Sequence, residues 1–218
     1  MPEPETLTPE SFAEILHVSR ETLARLQTYV DLLARWNAKI NLVGGETLAD
    51  VWRRHILDSG QLVRHIDRSV RSLVDLGSGA GLPGLVLAIL GVPDVHLIEA
   101  DQRKAAFLRE AARVTRTVVT VHAARIEGVK PFPADIVTAR ALAPLSELLK
   151  WSLAFQGENT VCLFLKGQSV RDELTAASAR WIMQTQILAS LTDPSGHILR
   201  VEGLRAAHRR PPTERSRG

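Results

Sequence analysis

The chain has 218 residues, a formal charge of +3, 45% hydrophobic and 23% charged residues, and one cysteine. That length holds one full α/β domain plus a small extension, and the ordinary polarity excludes a fibrous or highly charged, unfolded class. Cys162 sits alone in the apolar run Val161–Leu165, which excludes an intrachain disulfide or a cysteine-built metal site, and no apolar run approaches the length of a membrane span.

The first 70 residues read as a helical extension. Thr8-Pro9-Glu10 is a helix start, with a cap followed by proline. From Ser19 a longer helix follows, with Leu23, Leu26, Val30, Leu33, Trp36 and Ile40 at three- and four-residue steps. Asn41–Gly45 breaks it, and Thr47 is expected to cap a third helix carrying Val51, His55 and Ile56. Residues 71–204 then alternate. Strands are expected at Leu73–Leu76, Val95–Ile98, Val118–Val121, Ile136–Thr138 and Val161–Leu165, with helices between them. Two last strands flank the turn Asp193–Gly196. The alternation predicts an α/β, Rossmann-like, mostly parallel sheet with an antiparallel edge strand. Residues 205–218 carry five arginines and two prolines and are expected to form a basic flexible tail. The N-terminus lacks the basic and apolar regions of a secretory leader, so a cytoplasmic protein is expected.

The organising stretch is Asp75-Leu-Gly77-Ser-Gly79-Ala-Gly81-Leu82-Pro-Gly84, between the first strand and a buried apolar helix. Glycines there allow a sharp turn and close approach of backbone to a ligand. Residues 79–84 also fit the dinucleotide pattern G-x-G-x-x-G, and Glu99 follows about 20 residues on. In register with the strand, however, the pattern is Asp-x-Gly-x-Gly-x-Gly. An acid before the first glycine suits a cationic methionine moiety better than a pyrophosphate, which it would repel. That register is the form of S-adenosylmethionine methyltransferases.

In an open parallel sheet, ligands sit at the carboxyl ends of the strands. Those ends gather Asp75, Gly77, Gly79, Gly81, Glu99, Arg125, Ile126, Glu127, Arg140 and Lys166. Glu99 is placed to accept ribose hydroxyls, and Ile126 with Glu127 to frame an adenine. Arg140 and Lys166 are cations facing one crevice, suited to phosphate or a guanine edge. His55, Trp36 and Trp52 read as core. No nucleophile–base pair or metal cluster emerges. Methyl transfer from a sulfonium to a nitrogen lone pair requires neither, only alignment and exclusion of water.

With Trp36-Asn37, Ile40-Asn41-Leu42, His55-Ile-Leu-Asp-Ser59, the 75–84 turn, Ala139-Arg140-Ala141 and Leu165-Lys166-Gly167, the chain resembles the bacterial 16S rRNA guanine-N7 methyltransferases. The resemblance implies methyl transfer from S-adenosylmethionine to N7 of guanine 527 of 16S rRNA, within the small subunit or an assembly intermediate. It further implies that Gly77, Leu82, Glu99, Ile126, Glu127 and Arg140 contact the cofactor. Arg125, Arg140 and Lys166 would face the RNA, with Arg140 and Lys166 orienting the substrate. A monomer with no metal and no membrane association is expected. Three other readings stay open on the residues alone: a small-molecule methyltransferase, a nicotinamide oxidoreductase in the other glycine register, and a non-catalytic RNA-binding module.

Overall fold

Seven apolar runs form strands in the computed structural model, which describes residues 6–207. They are β1 (Leu73–Leu76), β2 (Val95–Ile98), β3 (Val119–His122), β4 (Ile136–Arg140), β5 (Val161–Lys166), β6 (Trp181–Ala189) and β7 (His197–Ala206). Their order in one sheet is β3-β2-β1-β4-β5-β7-β6. Strands β1 to β5 pair in parallel. β7 runs antiparallel to both β5 and β6, so the closing hairpin supplies the antiparallel edge with β7 on its inner side. The strand order reverses between β1 and β4, which opens a crevice at their carboxyl ends. β7 continues to Ala206, two residues past the expected end of the domain; the rest of the basic tail, from 208, lies outside the described residues.

Around the sheet lie α1 (Pro9–Leu16), α2 (Arg20–Asn37), α3 (Asp58–Gly60), α4 (Gly84–Ile89), α5 (Gln102–Val114), α6 (Leu145–Ser152) and α7 (Val170–Ser178). Thr8, Ser19 and Asp101 cap α1, α2 and α5 by accepting from backbone N–H groups that the first turn leaves unpaired. The apolar faces of α1 and α2 do not make a core of their own. Phe12, Leu26 and Leu33 join Leu85 of α4, Leu108 of α5 and Leu97 of β2 in one cluster. On the other face Val74, Val137 and Phe164 pack beneath Leu148, Leu149 and Val170. Tyr29 of α2, fully buried, donates its hydroxyl to the Ala80 carbonyl at 2.6 Å, so the extension also holds the glycine turn. Cys162 is buried and burial pushes its thiol up to about 12, which makes it inert. Among the described residues no helix is long and apolar enough to cross a membrane.

The third helix departs from expectation. Thr47 is not a helix cap: its hydroxyl donates to the Gly44 carbonyl at 2.6 Å and meets His55 Nε2 at 2.7 Å. Gly45–Asp50 is 3₁₀, and Trp52–Leu57 is a π-helical turn that runs into α3. The wider π turn is a known device for placing functional side chains. Here it carries His55. Trp52 packs on Phe12 and Trp36 on Phe107, in keeping with a core role.

Candidate functional site

β1 delivers the chain into the glycine turn at the reversal point of the sheet. Gly77 and Gly79 have φ of 64° and 55°, in the left-handed region that glycine favours. A side chain at Gly77 would run into Leu142, whereas at Gly79 it would meet nothing closer than the Gly77 carbonyl at 3.9 Å. Gly79 is therefore the point of the turn that opens on a cavity. Gly81 is not: it is buried, and a Cβ there would lie 2.7 Å from Leu85 Cβ. Its role is close packing of α4 and α5 rather than ligand approach.

Asp75, expected at the cofactor, instead faces the core. Its carboxylate is fully buried, with Oδ1 accepting from Thr138 Oγ1 at 2.7 Å and Oδ2 from the Gly84 N–H at 3.2 Å. It ties β1 to β4 and closes the glycine turn onto the start of α4, so it offers nothing to a ligand. Burial pushes its carboxyl up to about 6 against the hydrogen bonds from Thr138, Ser78 and Gly84.

Beyond the turn lies a cavity of about 430 Å³, bordered by Gly77, Gly79, Glu99, Arg125, Ile126, Glu127, Arg140, Leu142 and Trp151. Glu99 is only 9% exposed, and its two oxygens accept from the N–H groups of Gly79 (2.8 Å) and Asp101 (2.7 Å). Each oxygen keeps a lone pair, so the carboxylate is a rigid acceptor held at the cavity wall. Ile126 is buried against the cavity. Glu127 is exposed at its rim; its own backbone N–H, then the Trp151 indole N–H at 2.9 Å, hold its carboxyl below the ordinary value. Arg125 is exposed at the same rim.

A second cavity of about 330 Å³ continues over the turn, bordered by Leu42, Val43, Thr47, Arg54, His55, Gly79 and Leu82. A third, about 410 Å³, lies past the ends of β4 and β5, bordered by Asp58, Lys166, Glu173, Thr192 and His197 among others. Arg140 and Ala141 border all three. The three spaces meet at the end of β4.

Arg140 is held on two sides by the helical extension. Nη1 donates to Asp58 Oδ2 (3.0 Å) and to the Arg54 carbonyl (3.2 Å), and Nη2 to His55 Nδ1 (2.6 Å). Guanidinium only donates, so His55 Nδ1 accepts, and Nε2–H must donate to Thr47. Burial first, then Arg140 and Arg54, lower the His55 pKa to about 4, so the ring is neutral at physiological pH. Asp58 Oδ1 accepts from Thr192 Oγ1 at 2.8 Å and from Gln61 Nε2 at 3.1 Å, which adds the β6–β7 turn to the network. Burial raises the Asp58 pKa and Arg140 opposes it.

Lys166 borders the third cavity together with Arg140, the shared crevice expected of the two cations, but it is not a free cation there. Its side chain is 10% exposed, with Nζ paired to Glu173 Oε2 at 2.7 Å, because α7 places Glu173 beside the end of β5. Asp58, Arg54, Thr47, Leu142 and Trp151 also border the site, although none of them stands at the end of a parallel strand. The signal that was present is the run His55–Ser59, which the resemblance used as a motif and the periodicity treated as core. Among the described residues no group of three metal-ligating side chains occurs.

The model of the family described as GidB, rRNA small subunit methyltransferase G, matches residues 22–199. A "Ribosomal RNA small subunit methyltransferase G" of Rhodospirillum rubrum is 55% identical over 195 residues, covering 89% of this chain and 97% of the relative. The protein of the same description from Paramagnetospirillum magneticum is 55% identical over 203 residues, covering 93% and 99%. Among solved structures, M. jannaschii TYW2 in complex with AdoMet has a TM-score of 0.55 at 16% identity, covering 78% of this chain and 80% of that one. An MtNAS variant in complex with S-adenosylmethionine has a TM-score of 0.56 at 14% identity, covering 90% and 84%. At such identities these two establish the Rossmann-like fold alone. The sequence matches, spanning the glycine turn, the π-helical turn and the end of β4, establish more: this chain belongs to the rRNA small subunit methyltransferase G family.

Proposed function

We propose that this protein transfers the methyl group of S-adenosylmethionine to N7 of a guanine in 16S rRNA, guanine 527 by the family resemblance, in the bacterial cytoplasm. The observation that carries the reading is the meeting of three cavities at Arg140 and Ala141, on the edge of the sheet where the glycine turn opens. The residues fit the cofactor. Glu99, fixed by two N–H groups, would accept the ribose hydroxyls, and Ile126 would pack against the adenine, with Arg125 and Glu127 at the rim. Gly77 and Gly79 would give the backbone approach, and Arg54, Arg140 and Leu82, which border the second cavity, would hold the methionine end.

When bound, S-adenosylmethionine supplies an activated methyl on a sulfonium that departs as a neutral thioether. What the chain must do is seat the base in the third cavity, in line with that methyl, and exclude water. Guanine N7 attacks with its own lone pair, so no proton has to be removed. Accordingly His55 is a neutral acceptor committed to Arg140, not a base aimed at the acceptor. The Asp58–Arg140 pair and the Lys166–Glu173 pair keep the cations at the third cavity fixed and offset by acids, which suits a product ring that becomes cationic. The test is methyl transfer by the purified protein to small subunits lacking the modification. Transfer to subunits and none to nucleosides or free small molecules supports the reading; RNA-independent turnover overturns it.

A further inference from the structure

A groove outside the three cavities lies between the carboxyl end of α2 and the amino end of α5. Its apolar walls include Leu32, Trp36, Ile40 and Ala106, and its rim carries Arg35, Lys39 and Arg103. At about 910 Å³ it is roughly twice the volume of the cavity at Glu99, room for more than one base. No acid borders it. Arg35 and Lys39 are exposed; among the described residues Arg35 bonds only the Asp31 carbonyl of its own helix, and the Lys39 side chain has no partner. Arg103 is 74% exposed and reaches Asp101 at 3.5 Å, a loose surface pair that contributes little. Trp36 is fixed edge-on against Phe107 at 5.6 Å, so it reaches the groove at low entropic cost.

The groove shares no wall residue with the three cavities but lies a few residues along the chain from two of them. Asn37 Oδ1 accepts from the N–H groups of Leu42 (2.8 Å) and Val43 (2.9 Å), and both residues border the cavity over the glycine turn. Two residues of chain lie between Lys39 and Leu42, three steps that reach at most about 10 Å. On the other wall, Lys104 beside Arg103 borders the cavity at Glu99. Apolar walls with an indole and a cationic rim opposed only at Arg103, and loosely, fit bases that stack and phosphates that pair, the chemistry of an unpaired nucleic-acid strand. A protein partner would have to bring its own acids to meet this rim, whereas RNA brings phosphates at every residue.

Resting on the rRNA reading above, we propose that this groove holds a single-stranded segment flanking the target base, a second RNA contact beside the methylation site. The test compares Lys39→Glu/Arg103→Glu with Arg68→Glu/Arg71→Glu, an equal change of charge on exposed arginines at the amino edge of the sheet. The substrate is hypomethylated small subunits, with S-adenosylmethionine binding and thermal unfolding measured in parallel. The groove variant is expected to raise KM for subunits at least tenfold with kcat and S-adenosylmethionine Kd unchanged. Its salt slope for binding subunit RNA should fall by about 1.4, at ~0.7 per lost single-strand contact. The control should match wild type. A groove variant that also matches wild type in KM and salt slope overturns the proposal, as does a wild-type dimer that the groove variant dissociates without change in KM. Absence of any rRNA methylation by wild type would instead sink the functional reading on which this rests.

Discussion

Arg140 Nη1 reaches Asp58 Oδ2 across 3.0 Å, joining the end of β4 to a helical turn 82 residues earlier in the chain. Both side chains are about four-fifths buried, at 18% and 21% exposure. Because Asp58 also takes the Thr192 hydroxyl, one carboxylate holds together the helical extension, the parallel sheet and the closing hairpin around the point where the cavities meet.

Asp58→Ala is expected to lose about 2–3 kcal/mol of stability, since it leaves a largely buried guanidinium without its counter-charge. Chemical denaturation gives that loss. Methyl transfer should fall more than stability does, because Arg140 is freed to swing out of all three cavities. Asp58→Asn, which keeps an acceptor for Arg140, should recover most of the fold and part of the rate.

Asp75 carries a pH prediction. Its carboxyl is raised to about 6 in the fold, so the folded state binds the proton more tightly than the unfolded chain does. The stability this contributes is full below the unfolded carboxylate range near 3.8 and is lost as pH rises through about 6. Carbon-detected NMR of the Asp75 carboxyl should show that late titration. Asp75→Asn should cost about 1–3 kcal/mol, because an amide cannot accept from both Thr138 and the Gly84 N–H.

Gly77 and Leu142 should be coupled. Gly77→Ala meets both a positive φ and the Leu142 side chain, and should lower S-adenosylmethionine affinity and stability together. Leu142→Ala removes the second obstacle and not the first. A double-mutant cycle should therefore show partial rescue, with an interaction energy of about 0.5–2 kcal/mol. Gly79→Val, by contrast, extends into open cavity, and should abolish S-adenosylmethionine binding while leaving RNA affinity in place, with no rescue by Leu142→Ala.

Glu99→Gln should weaken S-adenosylmethionine roughly tenfold or more, equivalent to about 1–3 kcal/mol, by turning an amide donor toward an N–H that needs an acceptor. Isothermal titration checks it. Glu99→Asp shortens the reach to Gly79 and Asp101 and should cost less.

Much of this architecture was legible in the chain. The strand ends at Leu76, Ile98, Arg140 and Lys166 could be read from short apolar runs bounded by turn residues, and Glu99 from its distance to the glycines. What misled was geometry that residue type does not encode. Asp75 and Lys166 stand at strand ends as expected, but one turns into the core toward Thr138 and the other pairs with Glu173 from a later helix. Gly81 satisfies the motif and serves packing. His55 lies in an apolar run, and only the π-helical turn brings its ring to Arg140. Local sequence specifies elements; the partner of each polar side chain is set by tertiary distance.

The most direct measurement is reaction of the protein with isotopically labelled S-adenosylmethionine and small subunits lacking the modification, followed by nucleoside mass spectrometry and site mapping. Labelled 7-methylguanosine, mapped to guanine 527, is the expected product. Label on any other nucleoside or position would contradict the proposed function.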